Sequence, residues 1–134
     1  MGAVQSYSIN TDRTLSGPID TVDTRGQGPA FCVQLSNGVV AAVNYGSGNG
    51  SFTPTTMDGK TFVSSSSFVN FPAPAPPNVS HPHMALEYSE EVFVPDLVSG
   101  VLFLSFVVRA LSVFPPFVLL LITGRGQNLA TQPQ

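Results

Sequence analysis

Charge is what this sequence has least of. Only 10% of its 134 residues are charged, five Lys and Arg against eight Asp and Glu, for a net charge of −3; a globular chain usually carries about a quarter. Helices of soluble proteins dress their wet faces with such residues, so the scarcity speaks against a helical fold. Five scattered cations also exclude binding to a phosphate backbone, and no nucleic-acid partner is expected. Tryptophan is absent and Cys32 is the single cysteine. No disulfide can close within the chain and no cysteine-based zinc site can form. Cys32 reads as a small buried apolar residue. The start, Met1-Gly2-Ala3-Val4-Gln5-Ser6, lacks the basic-then-apolar pattern of a signal peptide and fits a myristoylation pattern only loosely.

What is there instead is Ser, Thr, Asn, Gln, 12 Gly and 12 Pro, with 43% hydrophobic residues. The most apolar stretch, Val94 to Ile122, is interrupted by Arg109, by Pro115-Pro116 and by Ser99, Ser105 and Ser112. Each piece falls short of the roughly 20 apolar residues a spanning helix needs, so no membrane insertion is expected. Its Val, Phe, Leu and Ile favour strands.

Along the chain, Val4–Ile9 alternates as an edge strand, and a short strand follows at Ile19–Val22 within a Gly/Pro/Asp/Thr loop. Ala30–Ser36 and Val39–Tyr45 flank Asn37-Gly38, which predicts a two-residue type I′ hairpin with Leu35 facing Val40 and Val33 facing Ala42. Gly46–Gly50 reads as a flexible loop. Asp58-Gly59 marks a second hairpin between Phe52–Met57 and Lys60–Val63, with Pro54 making the first of these an edge strand. Phe71–Pro82, rich in proline, reads as a polyproline-like connection over the surface. Met84–Val94, Val101–Val113 and Phe117–Thr123 complete the strands. Many short strands, Gly/Pro turns and no helix predict an all-β domain over residues 1–126, an antiparallel β-sandwich or jelly-roll-like barrel without internal repeat, followed by a polar tail, 127–134.

Chemistry is sparse. His81-Pro82-His83 puts two imidazoles on one side of an extended chain, a conceivable transition-metal pair with Glu87 as third ligand. Ser80, His81 and Asp96 or Asp58 can be drawn as a hydrolase triad, but no Gly-x-Ser-x-Gly elbow supports it. Glu90 and Glu91 are neighbours on a strand and point apart, which suits paired-carboxylate chemistry poorly; with Asp96 they are a conceivable calcium set. Asn49-Gly50-Ser51 and Asn78-Val79-Ser80 match the glycosylation pattern. Neither Arg25-Gly26-Gln27-Gly28 nor Gly124-Arg125-Gly126 has the Lys and Ser/Thr of a phosphate loop. The expectation is a chain that is not an enzyme and has no cofactor or metal.

In its Ser/Thr/Pro/Gly-rich loops, its alternating Val/Phe/Leu strands, its lone Cys32 and its Pro72-Ala73-Pro74-Ala75-Pro76-Pro77 stretch, the chain resembles the protruding domain of a small non-enveloped RNA virus capsid of the nodavirus or tombusvirus kind. That resemblance implies a surface-displayed virion domain that mediates subunit contacts and host attachment. It lacks the basic arm and shell domain of a whole capsid protein, which implies an excised domain or an accessory surface protein. The partners implied are the chain itself, as homodimer or homotrimer, other capsid subunits, and a host receptor or glycan. The strand Val101–Val108, apolar on both faces, wants a partner surface, and Phe103, Phe106, Phe114 and Phe117 are the expected interface. The alternative is an extracellular monomeric module binding carbohydrate or peptide through a Tyr/Asn loop, Asn44, Tyr45 and Asn49, helped by Tyr7 and Tyr88.

Overall fold

The structure is a computed structural model that describes residues 1–72, 79–89, 91–98 and 100–105, the last segment by its backbone alone. The described residues hold nine strands and no helix. β1 (Ala3–Ile9) and β2 (Leu15–Asp23) form an antiparallel pair. β3 (Pro29–Gln34), β4 (Val39–Asn44), β5 (Asn49–Pro54) and β6 (Ser67–Asn70) form a four-stranded antiparallel meander in sequence order. β7 (Leu86–Tyr88), β8 (Glu91–Asp96) and β9 (Gly100–Ser105) form a third antiparallel sheet. The all-β, antiparallel expectation holds.

The core follows from the two-residue period of a strand. One face of the meander carries Ala41 and Val43 of β4, Phe52 of β5 and Val69 of β6, joined by Leu35 and Phe71. These pack against Ala85 and against Val92 and Val94, which alternate with outward residues on β8. Each fully buried valine contributes roughly 1.5–3 kcal/mol. The other face is small and polar yet also closed: Ala42, Asn44, Asn49, Ser51 and Thr53 are all buried. The β1–β2 side is tied to the meander by hydrogen bonds. The Asp20 carboxylate accepts from the Phe62 amide at 2.8 Å, and the Ser6 hydroxyl donates to the Lys60 carbonyl at 2.6 Å. On the opposite side both oxygens of Glu87 in β7 accept from Ser36, its amide at 2.8 Å and its hydroxyl at 2.6 Å.

Several local expectations are corrected. The first hairpin has a three-residue loop, Ser36 to Gly38, so Val33 faces Ala41 and Gln34 faces Val40, one residue off the two-residue register. Gly38 takes the left-handed position at φ 82°, and the Asn37 side chain accepts from the Val39 amide at 3.0 Å; a type I turn closed by a left-handed glycine is the next commonest hairpin loop. Gly46–Gly50 is not wholly loop, because Asn49 and Gly50 begin β5. Phe71 packs over Gly50, where a Cβ would lie 3.1 Å from the ring. β5 is a central strand, not an edge, with Pro54 tolerated at its last position. The chain after Asp58-Gly59 returns through a single bridge, Thr55 to Phe62, and β6 is the strand that pairs with β5. Cys32 is exposed: Phe31 and Val33 turn to the core, and on an outer strand their neighbour faces out. β2 is longer than Ile19–Val22, and Met84–Val94 divides into β7 and β8 around Ser89, at φ 58°. Among the described residues no helix is long and apolar enough to cross a membrane.

Candidate functional site

The segment after the proline-rich stretch does not lie over the surface. Ser80 and Pro82 are buried, and residues 81–83 run antiparallel to the end of β8. Pro82 bridges Asp96, the His83 amide donates to the Pro95 carbonyl at 3.0 Å, and the Leu97 amide donates to the His81 carbonyl at 3.2 Å. Further along, Leu86 pairs with Phe93. Three residues separate Pro82 from Leu86 on this side and two separate Phe93 from Asp96 on the other, so one extra residue bulges between them. The extended backbone puts Ser80 and Pro82 inward and turns His81 and His83 the opposite way.

There they meet Tyr45. This residue follows β4 in a turn clamped to the bend that leads into β3: its amide donates to the Gly28 carbonyl at 2.9 Å and the Gly46 amide to the Gln27 carbonyl at 3.0 Å. The rings of Tyr45 and His81 stack at 4.4 Å between centroids and 17° between planes, and His83 meets the same tyrosine edge-on at 5.9 Å. Nδ1 of His81 lies 2.9 Å from the Tyr45 carbonyl oxygen. A carbonyl only accepts, so this contact places a proton on Nδ1, and in the neutral ring the lone pair is then on Nε2. The turn approaches the histidine segment closely enough to require glycine at its end. Gly48 has φ +63°, and a Cβ there would sit 2.7 Å from the Ser80 carbonyl. The cluster thus joins a loop of the meander to the edge of the third sheet.

The triad drawn from the sequence does not assemble. The Ser80 hydroxyl donates directly to the Asp96 carboxylate, both are buried, and His81 faces away. Asp58 lies in an exposed turn, where the Thr56 hydroxyl and the Lys60 amide hold its carboxyl below its ordinary pKa. Glu87 is engaged by Ser36, away from the histidines, and no group of three metal-ligating residues occurs among the described residues. Glu91 and Asp96 stand at opposite ends of β8, about 17 Å apart at strand rise, too far to share a calcium ion; Glu90 lies outside the described residues. Asn44 and Asn49 are inside the protein and bonded to each other, Nδ2 of Asn44 donating to Oδ1 of Asn49 at 2.7 Å; of the Asn44–Tyr45–Asn49 set only Tyr45 is exposed. The asparagine of the first glycosylation pattern, Asn49, is therefore buried; Asn78 lies outside the described residues. Gly26 packs against both asparagines. Tyr7 donates to Gln5 at 2.8 Å, and Tyr88 is exposed on β7. Phe103 lies in β9 opposite Phe93, while Phe106, Phe114, Phe117 and the 127–134 tail lie outside the described residues. The pairing of Tyr45 with the histidines was not read from the sequence. The signal available was the parity of His81 and His83 beside a proline, which put both rings on one side.

Comparison with known proteins gives one family. The model for the family described as lactonase, 7-bladed beta-propeller, matches residues 1–103. This overturns the resemblance to a capsid protruding domain and, with it, the virion-surface role in subunit contacts and host attachment. Ser/Thr/Pro/Gly loops and alternating apolar strands belong to antiparallel β proteins at large, so they did not discriminate. It also replaces the sandwich or jelly roll: a propeller blade is an antiparallel sheet of typically four strands, which β3–β6 form in order. Seven such blades need about 28 strands, so the nine described strands correspond to about two blades. No curated protein and no solved structure matches significantly. With most of its length covered by that one family model, the chain belongs to the seven-bladed β-propeller lactonase family.

Proposed function

We propose that the chain forms part of a propeller lactonase and that His81 serves the ring opening as general base. The observation that carries this reading is the bond from His81 Nδ1 to the Tyr45 carbonyl, 2.9 Å, because it leaves Nε2 as an acceptor. A lactone is a cyclic ester. Its hydrolysis needs a water deprotonated as it attacks the acyl carbon and a proton for the ring oxygen as the acyl–oxygen bond breaks, and one imidazole serves both steps in turn. Nε2 takes the water proton and returns it to the departing alkoxide, and the product is an open hydroxy acid. Stacking on Tyr45 holds the ring in one orientation, which is what a base must have to reach a positioned water. His83, exposed on the same side and edge-on to Tyr45, is a second imidazole beside the same tyrosine.

The sequence-based expectation was a chain without catalysis, and one assay decides between the two. A panel of γ- and δ-lactones is incubated with the full chain in weak buffer and acid release is followed. The lactonase reading expects turnover above the buffer rate and a fall of about a hundredfold or more in His81→Asn, the usual worth of a positioned general base. No turnover, or equal turnover by the variant, would refute it.

A further inference from the structure

β8 buries Val92 and Val94 and then, at the next inward position, Asp96. A carboxylate at the end of an apolar stripe is costly unless donors meet it, and one of the donors here, the Ser80 hydroxyl, belongs to the segment that carries His81. We propose that Asp96 is a positioning residue for His81, acting through Ser80; the proposal rests on the reading of His81 as the base.

Three links connect the two residues. The Ser80 hydroxyl, on the residue before His81, donates to Oδ2 of Asp96. The backbone of Asp96 bridges Pro82, the residue after His81. The amide of Leu97, the residue after Asp96, holds the His81 carbonyl at 3.2 Å. The carboxylate is itself oriented, since Oδ1 accepts from the Val98 amide at 2.8 Å in the turn that ends β8. His81 is therefore gripped from both faces of one strand. Tyr45 fixes its ring from outside, and Asp96 fixes its backbone from inside. The stack at 4.4 Å and the bond at 2.9 Å both depend on where that backbone lies. An apolar residue at position 96 would continue the Val92–Val94 stripe but would leave the buried Ser80 hydroxyl without its acceptor.

The test compares Asp96→Asn and Ser80→Ala with the unaltered full chain. Histidine carrying 13C at Cε1 is read by NMR, and His81→Asn assigns the His81 signal. In the parent chain the stacked Tyr45 ring shifts that signal, and Tyr45→Leu gives its position without the ring. The proposal expects both variants to move the His81 signal toward the Tyr45→Leu position and to lower lactone kcat roughly tenfold to a hundredfold with KM little changed. Variants that keep the dispersed spectrum of a folded β protein and leave the His81 signal in place would overturn it. Ser80→Ala removes one hydroxyl only, so it decides the matter should Asp96→Asn fail to fold. If the parent chain opens no lactone, the lactonase reading fails while the His81 signal still tests the positioning.

Discussion

Asn44 offers a sharp test of how the closed polar face of the meander is held. Its side-chain nitrogen donates to the Thr24 carbonyl at 3.0 Å and to Oδ1 of Asn49 at 2.7 Å, and the residue is completely buried. Asn44→Asp keeps the shape and removes both donors. The introduced carboxyl, if ionised, would point at two oxygens with no solvent to screen it. Burial of this kind raises a carboxyl pKa by up to 3–5 units, so the folded form holds a proton that the unfolded form releases near pH 3.9. The sign follows: over the interval between the two pKa values the unfolded state binds fewer protons, and stability falls as pH rises. A folded pKa near 7 implies about 4 kcal/mol lost between pH 4 and pH 7. To this is added about 1 kcal/mol for the donor that even the neutral acid lacks. The total approaches the whole margin of a small domain, about 5–15 kcal/mol. Asn44→Ala, which strands two acceptors and leaves a hole, should cost about 2–4 kcal/mol with no pH dependence of its own. Urea midpoints of the parent chain and both variants at pH 4 and pH 7 measure this. An Asn44→Asp deficit that is the same at both pH values would refute the reasoning, because the side chain would then have reached water.

Other consequences are equally open to measurement. Gly48→Ala places a Cβ 2.7 Å from the Ser80 carbonyl at φ +63° and should cost about 1–3 kcal/mol, read as a lowered thermal midpoint. Cys32, exposed on β3, should react with a thiol reagent in the native chain without denaturant; reaction only after unfolding would contradict its orientation. Thr56→Val removes the hydroxyl that lowers the Asp58 pKa and should raise that pKa in a carbon-detected titration. Because the parent carboxyl is depressed, its stabilising effect is present above the unfolded pKa and lost as pH falls through the folded one, and the variant should show a weaker dependence, since the Lys60 amide still lowers the pKa.

The strands were legible in the sequence because alternation and turn chemistry are local. β1, β3 and β4 follow from such patterns, and so does the absence of helix among the described residues. What failed was whatever depends on neighbours distant in sequence. Nothing local distinguishes a two-residue from a three-residue loop around Asn37-Gly38, and Pro54 reads as an edge marker until β6 is seen beside β5. Cys32 was assigned to the interior by residue type, whereas its face was decided by Phe31 and Val33. The site was half legible: His81 and His83 were singled out and correctly put on one side. Tyr45, 36 residues earlier, reaches them only because β4 ends where the 81–83 segment crosses. The family was not legible, because composition reports a class of surface and not the order in which strands are stacked.

The extra residue between Pro82 and Leu86 has a consequence for how this stretch can vary. Facing along a strand is a matter of odd and even. A deletion that straightened the bulge would leave Glu87 against Ser36 only by rotating Pro82 and Ser80 out to water and both imidazoles into the core. The alternative, holding the histidines in place, would turn Glu87 away from its clamp. Side chains at 84 and 85 can be exchanged within the limits of space, but their number cannot change without forfeiting one end or the other. For this segment, counting residues matters more than naming them.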